Sequence, residues 1–293
     1  MPDKQKTAET LHPAIAPGRV AVITGAASGI GLAAAKRFAS LGMRVCLADL
    51  DAQQLDAAAA DVVAAAPGGA ADVIAVATDV SQQPQVQALK DKVYSSFGDV
   101  AVLMNNAGTG GGGGPWQSYE GWQRVLGVNL WGVINGVHAF TEAMIAEGKP
   151  GAIINTGSKQ GITNPPGDTA YNVSKAGIKT LTEGLAQQLR NTPGCQITAH
   201  LLVPGFTFTG LTRRRVSEKP AAAWWPEQVV DELLTRMARN DFYIICPDND
   251  VTPQMDQLRL QWNTDDVILN RPALSRWHPD FADAFAEFMG HNR

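Results

Sequence analysis

The sequence predicts an α/β chain, a doubly wound and mainly seven-stranded parallel sheet with helices on both faces, on three observations. Short apolar runs alternate along the chain with segments of helical period. The first of these runs opens directly onto a glycine-rich turn. Thr24, Asp49, Asp79 and Asn105 each stand where such a run ends, the edge at which parallel sheets of this kind place a ligand cleft.

Residues 20–24 (Val-Ala-Val-Ile-Thr) form a short, apolar first strand. Gly25, Gly29 and Gly31 follow, and a helical pattern then runs through Leu41. The spacing is G-x-x-x-G-x-G rather than G-x-G-x-x-G, but the physics is shared. Strand, turn and helix present a helix N-terminus to an anion. Positions without a Cβ let a diphosphate approach free backbone N–H groups. Strand two, residues 44–49, ends in Asp49, 24 positions after Gly25. An acid at about this distance accepts hydrogen bonds from an adenosine ribose. It would also repel a 2′-phosphate, and Ser28, Leu50 and Asp51 supply no cation to hold one. NAD is therefore expected over NADP.

An alanine-rich helix over 53–66 is closed by Pro67, Gly68 and Gly69, and strand three follows at 73–77. A helix over 82–97 leads to strand four at 100–104. The glycines at 108 and 110–114 then read as a mobile loop over the cleft, either spacer or lid. One long helix is expected over 118–147, carrying Asn129. Strand five, 152–156, runs into Gly157 and Ser158. Strand six, 196–203, is stopped by Pro204 and Gly205, and a helix at 227–239 precedes strand seven at 242–246. Residues 1–18 read as a flexible leader and 19–250 as one domain. Residues 251–293, with helices at 253–262 and 279–290, read as an extension packed on that domain. This extension could close the active site, reach another subunit or cover the sheet edge.

Between strands five and six, Tyr171 and Lys175 stand four residues apart at the head of a helical pattern formed by Ile178, Leu181, Leu185 and Leu189. Residues i and i+4 share a helix face, so phenol and ammonium can point into one site. A free phenol ionises near pH ~10, and a nearby cation favours the phenolate.

Composition excludes several classes. A net charge of −4 offers no general attraction to nucleic acid or an anionic membrane, and the arginines at 213–215 read as a solvated loop. Cys46, Cys195 and Cys246 are odd in number and lack C-x-x-C spacing, which fits a reducing cytoplasm. The five histidines show no metal-ligand spacing, and no run approaches the ~20 apolar residues that span a bilayer.

Six motifs in register complete the reading: Thr24, Gly25, Gly29 and Gly31; Asn105, Asn106, Ala107 and Gly108; Asn129; Gly157, Ser158 and Gly161; Tyr171 and Lys175; Pro204, Gly205 and Thr209. Over residues 18–210 the chain resembles the short-chain dehydrogenase/reductase family. The resemblance implies a Rossmann-type fold and an NAD-dependent oxidoreductase interconverting a secondary alcohol and a ketone. A catalytically silent dinucleotide-binding regulator, or a redox-neutral epimerase or dehydratase, would use the same fold.

By that resemblance, Asn129, Ser158, Tyr171 and Lys175 match the catalytic tetrad. Tyr171 is the acid/base, Ser158 a hydrogen-bond donor to the substrate oxygen, and Asn129 the holder of a relay water. Lys175 binds the nicotinamide ribose and lowers the Tyr171 pKa. The diphosphate is expected at Gly25, Ser28, Gly29, Ile30 and Gly31, the adenine ribose at Asp49 and the adenine at Asp79 and Val80. Asn105, Ala107 and Gly108 border the cofactor after strand four, and Pro204, Gly205 and Thr209 border the nicotinamide. Ser158, Gln160, Tyr171 and Phe206 are the expected substrate contacts, and residues 206–226 fold over the substrate. No metal is expected. A homodimer or homotetramer is expected through the long helix and the Tyr171 helix.

Overall fold

The computed structural model describes residues 11–213 and 218–291. Seven strands, β1 (Val20–Thr24), β2 (Arg44–Asp49), β3 (Val73–Ala77), β4 (Val102–Asn105), β5 (Gly151–Thr156), β6 (Ile197–Val203) and β7 (Tyr243–Ile245), form one sheet. Their order is β3-β2-β1-β4-β5-β6-β7 and every neighbouring pair is parallel. Strands β1, β4 and β5 are buried along their whole length, as their unbroken apolar runs require of strands covered on both faces. The edge strand β3 instead alternates exposed and covered residues. The winding reverses between β1 and β4, and such a switch point opens a crevice at the carboxyl ends of the strands.

The helices are α1 (Gly29–Ser40), α2 (Ala52–Ala65), α3 (Gln83–Phe97), α4 (Tyr119–Leu126), α5 (Gly132–Ala146), α6 (Gln160–Thr163), α7 (Thr169–Asn191), α8 (Gly210–Arg213), α9 (Pro226–Ala238), α10 (Pro253–Ile268) and α11 (Ala282–His291). Phe38 of α1, Leu55 of α2 and Leu233 of α9 pack on one face of the sheet. Leu89 of α3, Phe140 of α5 and Leu185 of α7 pack on the other. Fully burying a side chain of this size contributes about 1.5–3 kcal/mol. These two layers hold the carboxyl ends of the strands rigid beneath the site.

Three sequence expectations change. Leader residues 11–15 are built into the base of the sheet, with His12, Ala14 and Ile15 buried; the first ten residues lie outside the described residues. The helix expected over 118–147 is interrupted between α4 and α5 by a π-helical turn, Gly127–Trp131, which carries Asn129. In the extension, α10 runs on to Ile268, with Trp262 and Asp266 buried along it. Phe285 and Phe288 meet the Trp262 ring from α11, and the Arg271 guanidinium lies 4.1 Å from its centroid. The extension rests on α6, where Asn263 Nδ2 donates to the Ile162 carbonyl at 3.4 Å. Of the arginine cluster only Arg213, which ends α8, falls within the described residues.

Candidate active site

At the switch point, the ends of β1 and β4 are tied by side chains. Thr24 Oγ1 accepts the N–H groups of Asn106 (3.0 Å) and Ala107 (3.1 Å). Asn106 Nδ2 donates to the carbonyls of Thr24 (3.1 Å) and Gly25 (3.3 Å). Gly31 packs so closely on this turn that a Cβ there would lie 2.2 Å from the Gly25 carbonyl oxygen. Gly25 itself has φ +67°, and a Cβ on it would lie 2.7 Å from Ala107 Cα. Ser28 occupies the N-cap of α1 without a side-chain cap bond, and the first turn of α1 carries no acid. Orphan N–H groups of a helix start, over a cradle closed to any Cβ, fit a diphosphate. Ile30 is buried just inside that turn.

Asp49 ends β2 against the same turn, Oδ2 accepting the Ala27 N–H (2.9 Å) and Oδ1 the Leu50 N–H (2.7 Å). Asp79 Oδ1 holds the backbone and hydroxyl of Ser81 (2.9 and 2.7 Å), and Val80 is buried beside it. Asn105 does not turn its side chain to the crevice. Its Nδ2 donates to Asn155 Oδ1 (2.9 Å), whose own Nδ2 reaches Thr182 Oγ1 (3.1 Å) under α7. Successive strand residues face opposite ways, so Asn106 is the asparagine beside the glycine turn. Thr209 lies across the turn, with Cβ 3.1 Å from the place a Gly29 Cβ would occupy. Pro204 and Gly205 are half-buried at the end of β6.

Tyr171 and Lys175 lie in the first two turns of α7, which Asp168 caps by accepting the Tyr171 N–H at 3.2 Å. The Ser158 hydroxyl lies near enough to the Tyr171 phenol to favour its ionised form, and Ser158 Oγ accepts the Gln160 N–H at 3.2 Å. Gly161 permits this approach, because a Cβ on it would lie 2.5 Å from the Lys175 carbonyl carbon. Lys175 Nζ stands 5.7 Å from the Tyr171 ring centroid and donates to the Thr156 carbonyl at 2.8 Å. An ammonium has three donors, so this bond leaves others for ribose hydroxyls. Gly108 borders it, a Cβ there lying 3.8 Å from Lys175 Nζ.

Burial pushes the Lys175 ammonium down to about 8. Burial also pushes the Tyr171 phenol up; the nearby Ser158 hydroxyl opposes that and the Asp168 charge adds to it. Desolvation thus dominates at both groups and disfavours the charged form of each.

Asn129 is fully buried, on the π-turn. Its Nδ2 donates to the Thr109 carbonyl (2.9 Å) and Ser174 Oγ (3.0 Å), and its Oδ1 accepts the Thr109 N–H (2.8 Å). Both amide hydrogens are therefore committed to protein partners, and the side chain clamps the strand-four loop onto α7. Single π-turns inside helices are frequent at functional sites.

Around this centre, Gln160 is exposed on α6 and Phe206 is exposed just beyond β6. Of the aromatic segment, Phe208 is buried against the edge of the Trp225 ring at 5.8 Å, and Trp224 packs on the core. The sequence reading left Asp248 and Asp256 unassigned. Lys159, next to Ser158, pairs with Asp256 (2.7 Å) and Asp248 (3.6 Å), and Asp248 also accepts the Phe206 N–H (3.1 Å). Among the described residues, no cluster of side chains suits a metal ion, and no helix is long and apolar enough to cross a membrane.

A sequence model described as short chain dehydrogenase matches residues 19–220. The Mycobacterium tuberculosis protein SadH, named as an oxidoreductase, is 38% identical over 173 residues, 59% of this chain and 61% of its own length. The chain thus spans about three fifths of that relative. The 3-oxoacyl-acyl-carrier-protein reductase FabG of Thermotoga maritima is 35% identical over 67% of this chain and 77% of its own. A Burkholderia phymatum short chain dehydrogenase/reductase, solved with NAD, superposes with a TM-score of 0.78 at 35% identity, covering 88% of this chain and 96% of that one. A metagenomic short-chain oxidoreductase, solved with NADP, gives 0.66 at 32% identity, covering 79% and 98%.

Proposed function

The chain belongs to the short-chain dehydrogenase/reductase family of oxidoreductases, and from that premise we propose that it interconverts a small-molecule secondary alcohol and a ketone with NAD. The observation that carries the reading is the pair on α7, with the buried Lys175 ammonium one helical turn on from Tyr171 and 5.7 Å from its ring centroid, and the Ser158 hydroxyl beside the phenol. In the oxidative direction, Tyr171 Oη takes the proton of the alcohol while Ser158 donates to the same oxygen and steadies its developing charge. In the reductive direction Tyr171 returns the proton. A bound nicotinamide supplies or accepts the hydride and, when oxidised, adds positive charge to the site. Lys175 holds the ribose with its free donors, and the turn at Gly25, Gly29 and Gly31 holds the diphosphate.

NAD is preferred over NADP in this reading because the Asp49 carboxylate stands against the glycine turn and would repel a 2′-phosphate. A homo-oligomer belongs to the same reading: Trp131 of the π-turn and Val173 of α7 are large apolar side chains left exposed. So does a cytoplasmic setting, which the odd and widely spaced cysteines favour. The experiment is NADH formation by the full chain with a panel of cyclic, aromatic and aliphatic secondary alcohols. Stoichiometric NADH with at least one class is expected. Tight NAD binding without turnover of any alcohol or ketone would point instead to a silent sensor.

A further inference from the structure

The glycines at 110–114 have no side chains to hold them, and such a run would ordinarily wander. Here it is pinned, contrary to the mobile loop expected from composition. Asp168 Oδ2 accepts the N–H groups of Gly111 (2.7 Å) and Gly112 (3.4 Å), and Oδ1 accepts that of Gly113 (3.1 Å). Arg124 Nη2 grips the run from its other side, donating to the carbonyls of Gly110 (3.2 Å) and Gly111 (3.0 Å). Ala170, beside the catalytic tyrosine, donates its N–H to the Gly113 carbonyl (3.3 Å). Gly112 is buried against that alanine, where a Cβ would lie 2.5 Å from Ala170 Cβ.

The pinned run places Gly110 at a particular point. A Cβ on Gly110 would lie 3.9 Å from Tyr171 Cδ2, 3.7 Å from Leu211 Cδ1 of α8 and 3.7 Å from Asp168 Oδ2. Gly110 thus stands between the ring of the acid/base and the segment that follows β6, offering only backbone there. Its φ lies outside the left-handed range, so the chain geometry does not itself demand glycine. What glycine provides at 110 is space beside Tyr171.

We propose that Asp168 is a positioning residue that holds a wall without side chains beside Tyr171, and that Gly110 is a specificity-determining position in that wall. The substrate then carries a ring or a branched apolar group on this flank of its carbinol carbon. This deepens the alcohol–ketone reading and rests on it. Asp168 has two separable jobs, since it also caps α7 at the Tyr171 N–H. Serine is as good an N-cap as aspartate, but a single hydroxyl cannot serve Gly111 and Gly113 together.

The test uses the full chain with NAD bound and compares wild type, Asp168→Ser and Gly110→Ala. Hydrogen–deuterium exchange is read on peptides covering 108–118, and kcat and KM are measured with 2-butanol and with 1-tetralol. In Asp168→Ser, exchange over 108–118 should quicken on the order of tenfold, with the rest of α7 unchanged. In Gly110→Ala exchange should stay protected while kcat/KM for 1-tetralol falls about tenfold relative to 2-butanol. Asp168→Ser should shift the same ratio, which a loss confined to helix stability would not do. Unchanged exchange in Asp168→Ser overturns the clamp, and an unchanged substrate ratio in Gly110→Ala overturns the specificity assignment. If wild type binds NAD but oxidises neither alcohol, the specificity assignment fails, while the functional reading is decided by the wider panel of alcohols. The exchange measurement still decides the clamp by itself.

Discussion

Lys159 Nζ lies 2.7 Å from Asp256 Oδ2, an ion pair that ties the C-terminal extension to the residue next to Ser158. Both side chains are largely covered, at 17% and 7% exposure, and Asp248 is the second acid on the same ammonium. Removing one partner of a covered pair leaves the other charge desolvated. Asp256→Asn should therefore cost about 1–2 kcal/mol, less than a fully buried pair because Asp248 remains. A cycle with Lys159→Met isolates the coupling. Strictly additive effects in urea titrations would show that the pair does not hold the extension.

Tyr171→Phe and Lys175→Met separate the roles of the two residues on α7. Tyr171→Phe should lower kcat by about 10²–10⁴ with NADH affinity nearly unchanged, since it removes only the proton-transfer group. Lys175→Met should damage both turnover and NADH binding. It should also stabilise the cofactor-free chain by about 2 kcal/mol at pH 7, because the native ammonium is buried and pushed down to about 8. Fluorescence titration with NADH and urea unfolding read both effects. A Lys175→Met chain less stable than wild type would contradict the assignment.

Asp49→Ser should weaken NAD and relax the exclusion of NADP. A carboxylate facing a 2′-phosphate costs several kcal/mol, so wild type should prefer NAD by on the order of 10² in kcat/KM. The variant should lose most of that ratio. Equal use of both cofactors by wild type would show that Asp49, with its two backbone bonds, does not read the ribose.

Stability should fall on mild acidification through His12. Its Nδ1 accepts the Ala14 N–H (3.2 Å), and its Nε2 faces Thr198 Oγ1 (3.2 Å), which in turn faces His200 Nε2 (2.8 Å). His200 Nδ1 donates to the Asp241 carbonyl at 2.8 Å, which makes the whole chain consistent with two neutral rings. Burial, and then His200, pushes His12 down from 6.5 to about 4. The unfolded chain therefore takes up this proton first. The contribution is complete above pH 6.5 and is lost as pH falls toward 4. Between pH 7.5 and 5 the loss should be about 2 kcal/mol. His12→Gln should be less stable at neutral pH but flatter across this window. A wild-type slope unaffected by the substitution would remove His12 as its source.

The strand-and-helix alternation, the glycine turn and Asp49 were legible because each depends on spacing along one chain. The pair at Tyr171 and Lys175 was legible for the same reason, since i and i+4 share a helix face. Asn105 was misread because a strand of four residues gives little pattern from which to judge which asparagine faces the crevice. The 1–18 leader read as loose because His12 needs Thr198 and His200, nearly two hundred residues away, to make its burial visible.

The sequence alone determined the parallel sheet, the glycine turn after its first strand and the shared helix face of Tyr171 and Lys175, because local period and motif spacing encode them. Tertiary structure decided how those residues behave. Burial pushes the Tyr171 phenol up and the Lys175 ammonium down, and desolvation exists only once the chain is packed. It also decided that the glycine run is a pinned wall and that the extension is anchored beside Ser158. Asp168 and Asp256 are ordinary acids in the sequence; the folded chain brings them to the backbone and ammonium they hold.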